Sequence, residues 1–305
     1  MPEWLYEAGI GEERAALIAD GRIVEAALEV DGGVRVGLVA RARLIGPGLV
    51  RLDSGVQAQL ASAPGVPEGG ALTVAITREA IPEPGRAKLP RAIASGAAPA
   101  PAPGLLARLT EHPVRRLSAH EPDLLEAAGW SELLEEARTG DIAFPGGALR
   151  MWPTPAMTLF DVDGAEPLEP LATGGAEAVA QAIRRHGIGG SIGIDFPTLG
   201  GKAARLAVAA VLDRQLPPPF ERTAVNGFGF LQIVRARPRA SLPELLRADP
   251  VGAAARAMLR RLEREPGPAR RHRVPAAVLD YVQARPQWLA ELARRTGARP
   301  NLESD

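Results

Sequence analysis

Apolar residues near the start of the chain gather into two runs around a polar break: Leu17-Ile18-Ala19, then Asp20-Gly21, then Ile23-Val24-Glu25-Ala26-Ala27-Leu28-Glu29-Val30. Asp-Gly between apolar runs predicts a β-hairpin. From Val34 to about Arg91 the runs have strand length, at Val36 to Leu44, Leu49 to Leu52, Val56 to Leu60 and Leu72 to Ile76. They are broken by Gly46-Pro47-Gly48, Pro64-Gly65-Val66-Pro67 and Pro82-Glu83-Pro84-Gly85. Short, closely spaced strands between Gly/Pro turns predict a small barrel, for which an OB-type fold is the natural candidate.

Ala94 to Pro103 reads ASGAAPAPAP, too poor in large apolar groups to pack, and is expected to be an extended linker. Beyond it, Leu105 to Leu109 and Pro122 to Ala137 have helical character, the second with Leu124, Leu125, Ala128, Leu133 and Leu134 at helix spacing. The chain then turns at Phe144-Pro145-Gly146-Gly147. From Ala148 to about Arg237 strands and helices alternate. Met157 to Phe160 leads into Asp161, and Ala176 to His186 forms a helix closed by Gly187. Ser191 to Ile194 leads into Asp195, Lys202 to Leu216 forms a second helix, and Gly229 to Val234 a further strand. This alternation predicts an α/β layered unit. The tail, Pro250 to Arg264 and Pro275 to Thr296, is expected to be mostly helical.

A chain of 305 residues that is 46% hydrophobic has enough apolar mass for at least one full core and suggests two or three compact units. No stretch approaches the roughly 20 continuous apolar residues that cross a bilayer, and no basic-then-apolar leader opens the chain. The expectation is a cytoplasmic protein with no membrane partner. With no cysteine, disulfides and thiolate metal sites are excluded, and with four scattered histidines any metal is expected on oxygen ligands. Lys+Arg and Asp+Glu balance at 36 each, so the whole chain has no bias toward nucleic acid. Arginine outweighs acid locally from Arg256 through Arg299, as a basic patch or as the solvated faces of helices.

Two strands of an α/β sheet that each end in an aspartate place carboxylates where such sheets commonly bind ligands. Asp161 and Asp195 fit that pattern, and a hard divalent cation offsets the cost of bringing two carboxylates together. Asp163, two residues beyond Asp161, points to the same side of a continuing strand. The alternative for each is a capping or turn residue, and Asp163-Gly164 is a turn candidate by itself.

The runs MTLFDVDG (Met157 to Gly164), AEAVAQAIRRHGIGG (Ala176 to Gly190), SIGIDF (Ser191 to Phe196) and NGFGFLQIVRARPR (Asn226 to Arg239) occur in one order and spacing. Together they resemble the catalytic core of the ribonuclease E/G family. FPGGALRMW before the first strand and HRVPAAVLDYVQARPQWLAELARRTGARP near the end resemble it more weakly.

The resemblance implies an α/β fold, with RNase H-like and DNase I-like subdomains, an inserted OB-type barrel and a helical C-terminal tail. It divides the chain into an N-terminal hairpin of a split RNase H-like subdomain (1–33), an RNA-binding barrel (34–93), a linker (94–104), the rest of the RNase H-like subdomain (105–150), a DNase I-like catalytic subdomain (151–240) and a truncated C-terminal domain (241–305). It implies magnesium on Asp161 and Asp195; Asp163, on the same side of the strand by alternation, is read beside them as a further catalytic carboxylate. The implied reaction is endonucleolytic cleavage of single-stranded RNA, whether ribosomal precursor or messenger, by a metal-activated water, leaving 5′-phosphate and 3′-hydroxyl ends.

The chain departs from the family pattern at several points. Asp163 stands where the family has Asn, and Gly227 where it has Arg. The zinc-sharing cysteines are absent, so neither zinc nor a zinc-linked dimer is expected. ASGAAPAPAPGLLARLTEHP occupies the 5′-sensor segment without its Arg-Thr pair. The barrel has no aromatic residue between Val34 and Arg91 to stack on bases. RNA contacts then fall to Arg41, Arg43, Arg51, Arg78, Arg86 and Lys88 in the barrel, and to Lys202 and Arg205 after Asp195; each is equally a solvated surface cation. His186 and His272 read as helix-end or surface residues, and Gly187-Ile188-Gly189-Gly190 lacks the features of a phosphate loop. Beside the ribonuclease stand two alternatives: a degenerate RNA-binding member that does not cut, and a partner of a larger ribonuclease docking through its tail helices.

Overall fold

The computed structural model describes residues 1–305 apart from 63, 64, 84, 86, 110 and 266–270. Three strands open the chain, β1 (Glu3–Ala8), β2 (Glu12–Ala19) and β3 (Arg22–Val30). Then come β4 (Val39–Gly46), β5 (Leu49–Leu52), β6 (Gln57–Leu60), β7 (Ala71–Arg78) and β8 (Arg91–Ala94), followed by α1 (Leu105–Arg108), β9 (Val114–Arg116), α2 (Leu124–Ala127) and α3 (Trp130–Thr139). The central stretch carries β10 (Asp141–Phe144), β11 (Gly147–Pro153), β12 (Thr158–Gly164), α4 (Leu168–Arg185), β13 (Gly190–Asp195), α5 (Lys202–Gln215), β14 (Glu221–Arg222) and β15 (Phe230–Arg235). The remainder is α6 (Leu242–Ala248), α7 (Pro250–Arg264), β16 (Arg271–Val274), α8 (Ala276–Gln283), α9 (Pro286–Thr296) and β17 (Asn301–Ser304). Two compact units result, one of Met1–Asp31, Leu109–Ser131 and Leu246–Asp305, the other of Gly32–Arg108 and Glu132–Leu245.

In the first unit a sheet of order β3-β2-β1-β9 is antiparallel except for the parallel β1–β9 pair. Its β2–β3 hairpin turns on Asp20 and Gly21, both at positive φ (51° and 74°), as a tight hairpin loop requires. Helix α7 sends Ala255, Leu259 and Leu262 into a core shared with Val278, Val282, Trp288 and Leu292. Trp288 lies so close over Gly11 that a Cβ there would sit 2.3 Å from the ring. Beside this core runs a buried charge network. Arg14 bridges Glu7 and Asp123 at 2.8 and 2.7 Å, Arg264 reaches the same two acids, and Glu12 is held by Arg256 and Arg260. Each of these charges is compensated by its partners, the condition for tolerating ions away from water.

The second unit contains a closed barrel of order β4-β5-β6-β8-β7, with Ala42, Val50, Leu52, Val74, Ile76 and Ala92 inside. Its strands alternate buried and exposed positions, as a barrel wall demands. The same unit holds a six-stranded mixed sheet, β10-β11-β12-β13-β15-β14, in which only β12–β13 is parallel. Helices α4 and α5 pack on one face, against Phe160, Val162, Ile192, Ile194, Leu231 and Ile233. Gly175 of α4 approaches β12 so closely that a Cβ would meet Val162 Cγ1 at 2.5 Å, which fixes glycine at that helix position. Alternate residues of β11 and β12 on the other face are exposed.

Several expectations change. The helix predicted over 122–137 divides into α2 and α3 at Gly129, whose φ of 96° is left-handed. Helix α4 begins at Leu168 rather than Ala176, because Leu171 and Ala172 extend the buried stripe backward. The turn at 144–147 is the loop of a β10–β11 hairpin, and β11 adds an antiparallel neighbour to β12. Within the predicted linker, Ala100 exchanges both backbone hydrogen bonds with Val39, at 2.9 and 3.0 Å. Residues Leu246–Asp305 fall in one compact unit with Met1–Asp31 and Leu109–Ser131. Among the described residues no helix is long and apolar enough to cross a membrane.

Candidate functional site on the open face of the mixed sheet

Asp161 does not end its strand. Pairing with β11 carries β12 onward through Leu149↔Val162, Ala148↔Asp163 and Gly147↔Gly164, so the carboxylate stands in mid-strand. The apolar run that seemed to stop at Phe160 continues at every second residue, with Val162 buried beneath the sheet. Asp195 does end β13, and in the parallel pair it is the register partner of Asp161. Both point to the open face, as does Asp163. One rung thus reads Arg150, Asp161, Asp195, Phe230 across four strands.

The electrostatics follow from this placement. The Asp161 carboxyl is held above the usual carboxylate range, first by partial desolvation and then by repulsion from Asp163 and Asp195, with Arg150 opposing. Arg150 Nε lies 4.0 Å from Asp163 Oδ2, both largely exposed, so it offsets only part of the negative charge. Among the described residues no three His, Asp or Glu side chains are grouped to hold a metal. Magnesium is commonly bound by one or two carboxylates with waters and phosphate oxygens completing the shell, so a register-matched pair on an open face fits that donor requirement.

The predicted cations fall in two places. Arg41, Arg43 and Arg51 project from the barrel wall, and Arg43 stands directly opposite Arg51 across β4–β5. Arg43 also donates to the Gly69 carbonyl at 2.6 Å. Like charges facing each other on a sheet are unfavourable unless an anion lies over them. Lys88 Nζ is ion-paired with Glu83 and reaches the Pro155 carbonyl, while Arg78 donates to the Leu89 carbonyl. Arg86 lies outside the described residues. Lys202 is exposed at the start of α5, whereas Arg205 donates to the Leu199 carbonyl at 3.0 Å and braces the loop leaving Asp195. His186, expected at a helix end or the surface, is the fully buried C-cap of α4.

Two residues of this face, and a third in the turn that leads into β15, were not singled out from the sequence. Arg150 and Trp152 share the exposed side of β11, and the alternation of Leu149, Arg150, Met151 and Trp152 is a period-two signal that would have placed them there. Phe228, 84% exposed, is presented by a turn in which Asn226 Oδ1 accepts from the backbone N–H groups of Phe228 and Phe230. In the first unit a cavity of about 680 Å³ is lined by Arg260, Arg261 and Arg264, but their acids Glu12, Glu265, Glu7 and Asp123 already accompany them.

The fold and site define a mixed α/β protein with a closed five-stranded barrel and a carboxylate-bearing open sheet face. No protein-family model and no curated protein matches the chain.

Proposed function

We propose that the chain is a metal-dependent endoribonuclease of the ribonuclease E/G type, acting on single-stranded RNA. The observation that carries this reading is the register match of Asp161 and Asp195 on the exposed face of parallel strands, with Asp163 two residues along the same face. The barrel supports it: its strand order and its one parallel pair, β6–β8, suit an OB-type module, and residues 34–94 carry eight Lys and Arg against four acids. The ordered motifs of the central stretch suggest a DNase I-like core, and the strands and helices of the first unit an RNase H-like one.

In this scheme Asp161 and Asp195 hold the cation, Asp163 adds a nearby carboxylate, and Arg150 meets a backbone phosphate. Magnesium bound there supplies an acidified water and offsets charge on the transferring phosphoryl group. The barrel arginines hold the RNA backbone through phosphate contacts that are independent of base identity. The test is cleavage of an unstructured RNA by wild type and Asp195→Asn in the presence of magnesium. A drop of at least about 100-fold is expected, the scale of losing a principal charge-stabilising group; equal rates would overturn the reading.

A second reading, RNA binding without cleavage, draws on the Arg43–Arg51 opposition, which a phosphate would relieve with no metal involved. It predicts salt-sensitive binding unaffected by magnesium, and a metal-dependent product ladder would exclude it.

A further inference from the structure

The open face carries a second rung, one step along the strands from the carboxylates. It reads Trp152, Leu159, Gly193, Gln232 across β11, β12, β13 and β15. Trp152 is 60% exposed and Leu159 is exposed beside it. At Gly193 the sheet has no side chain of its own, and neighbours close over the gap. A Cβ there would meet Phe230 Cζ at 2.7 Å, Leu159 Cδ2 at 2.9 Å and Met157 Sδ at 2.9 Å. The result is an apolar floor of Met157, Leu159 and Phe230, flanked by the Trp152 indole. Alternate residues of a strand are about 6.6 Å apart, so this floor lies within one nucleotide's reach of Asp161 and Arg150.

An apolar, aromatic surface next to a carboxylate pair suits, once a divalent cation sits on the pair, a ligand with a flat apolar part joined to an anionic one. A nucleobase with its phosphate has that form. Protein side chains stack on bases without regard to their identity, because every base presents a π-face. The barrel cannot supply this contact, since residues 34–91 include no aromatic.

We propose that the Trp152–Leu159 rung is the base-stacking subsite of this face, which receives the nucleobase adjacent to the phosphate that a cation on Asp161 and Asp195 would hold. The inference rests on the single-stranded RNA reading above. It assigns Trp152 a substrate-positioning role, with Arg150 on the same strand aimed at the intervening phosphate.

Tryptophan fluorescence tests it directly. Trp4, Trp130 and Trp288 are 6%, 0% and 7% exposed, so Trp152 is the one tryptophan of the four open to solvent. Titration of the full chain with an oligouridylate in the presence of calcium, a hard divalent cation that takes the same carboxylate oxygens, should quench the emission and reduce its accessibility to acrylamide. Trp152→Phe should abolish the RNA-dependent quenching while keeping most of the affinity, because a ring remains. Trp152→Ala should weaken binding by about 5- to 150-fold, the loss of one stacked base. Undiminished affinity in Trp152→Ala, or RNA binding that leaves wild-type emission and acrylamide access unchanged, would overturn the subsite. Quenching without magnesium-dependent cleavage would retire the nuclease reading and leave the subsite standing; cleavage with unquenched tryptophan would do the reverse.

Discussion

Asp161 and Asp195 face each other in register across the parallel β12–β13 pair, and Asp163 adds a third negative charge to the same surface. The carboxyl of Asp161 is held above its ordinary value, by desolvation first and by these neighbours next. Cation binding requires the ionised carboxylate, so the group resists loading as the solution is acidified. Replacing Asp163 by Asn removes one repelling charge and lowers the pKa of Asp161. The pH at which magnesium binding reaches half its plateau should therefore fall in Asp163→Asn. Calorimetric titration between pH 4.5 and 7 measures it, and an unchanged or higher half-point would show that Asp163 does not act on the pair.

The opposition of Arg43 and Arg51 on the barrel couples stability to binding in opposite directions. Cross-strand pairs of like charge destabilise on the order of 0.2–1 kcal/mol. Arg51→Gln should raise the urea midpoint slightly. The same change should weaken RNA binding and flatten its salt dependence, by about 0.7 in the slope of log K against log salt for one lost single-strand phosphate contact. A variant that gains stability with no loss of RNA affinity would leave Arg51 as an ordinary surface cation.

The elements that could be read from the chain are those whose apolar period is closed by punctuation. Asp20-Gly21 marked the hairpin, Gly187 the end of α4, and Pro250 to Arg264 became α7 residue for residue. What escaped is pairing between distant segments. Nothing local in Val114–Arg116 announces a strand; it exists because β1 offers it a parallel edge. Likewise Asp163-Gly164 has the composition of a turn, and only the antiparallel contact with Ala148 and Gly147 makes it strand. The three aspartates were visible as residues, but the sharing of one rung by Arg150, Asp161 and Asp195, with Asp163 one step along the face and Trp152 one step the other way, depends on a register that a single strand does not encode.

Glu12 is 3% exposed and holds both Arg256 and Arg260 from α7. Removing one member of a buried ionic cluster leaves the others uncompensated, a cost of about 3–5 kcal/mol. Glu12→Ala strands two guanidinium groups, of which, among the described residues, only Arg256 keeps a second acid, Asp249 at 3.4 Å. The variant should unfold at markedly lower urea than wild type. Glu12→Ala within 1 kcal/mol of wild type, on the order of one surface pair, would mean that water reaches these arginines freely.

His186 gives the fold a pH dependence of definite sign. It caps α4, accepts a backbone bond at its carbonyl from Leu242, and is fully buried, with Nε2 3.2 Å from Glu136 Oε2. Burial holds its pKa below the ordinary 6.5, assisted by Arg185 and opposed by Glu136. In the unfolded chain the imidazole protonates near 6.5, whereas in the fold it stays neutral to lower pH. The unfolded state therefore binds more protons in that window, and stability falls as pH drops below about 6.5. Glu136 acts in a separate range: Arg185 and His186 outweigh its desolvation and hold it below its ordinary 4.5, so its contribution persists above that value and is lost below it. Urea unfolding of wild type should thus weaken between pH 7 and 5, while His186→Gln, which cannot titrate, should show a flatter profile over the same range. Identical slopes in the two proteins would mean that His186 titrates alike folded and unfolded.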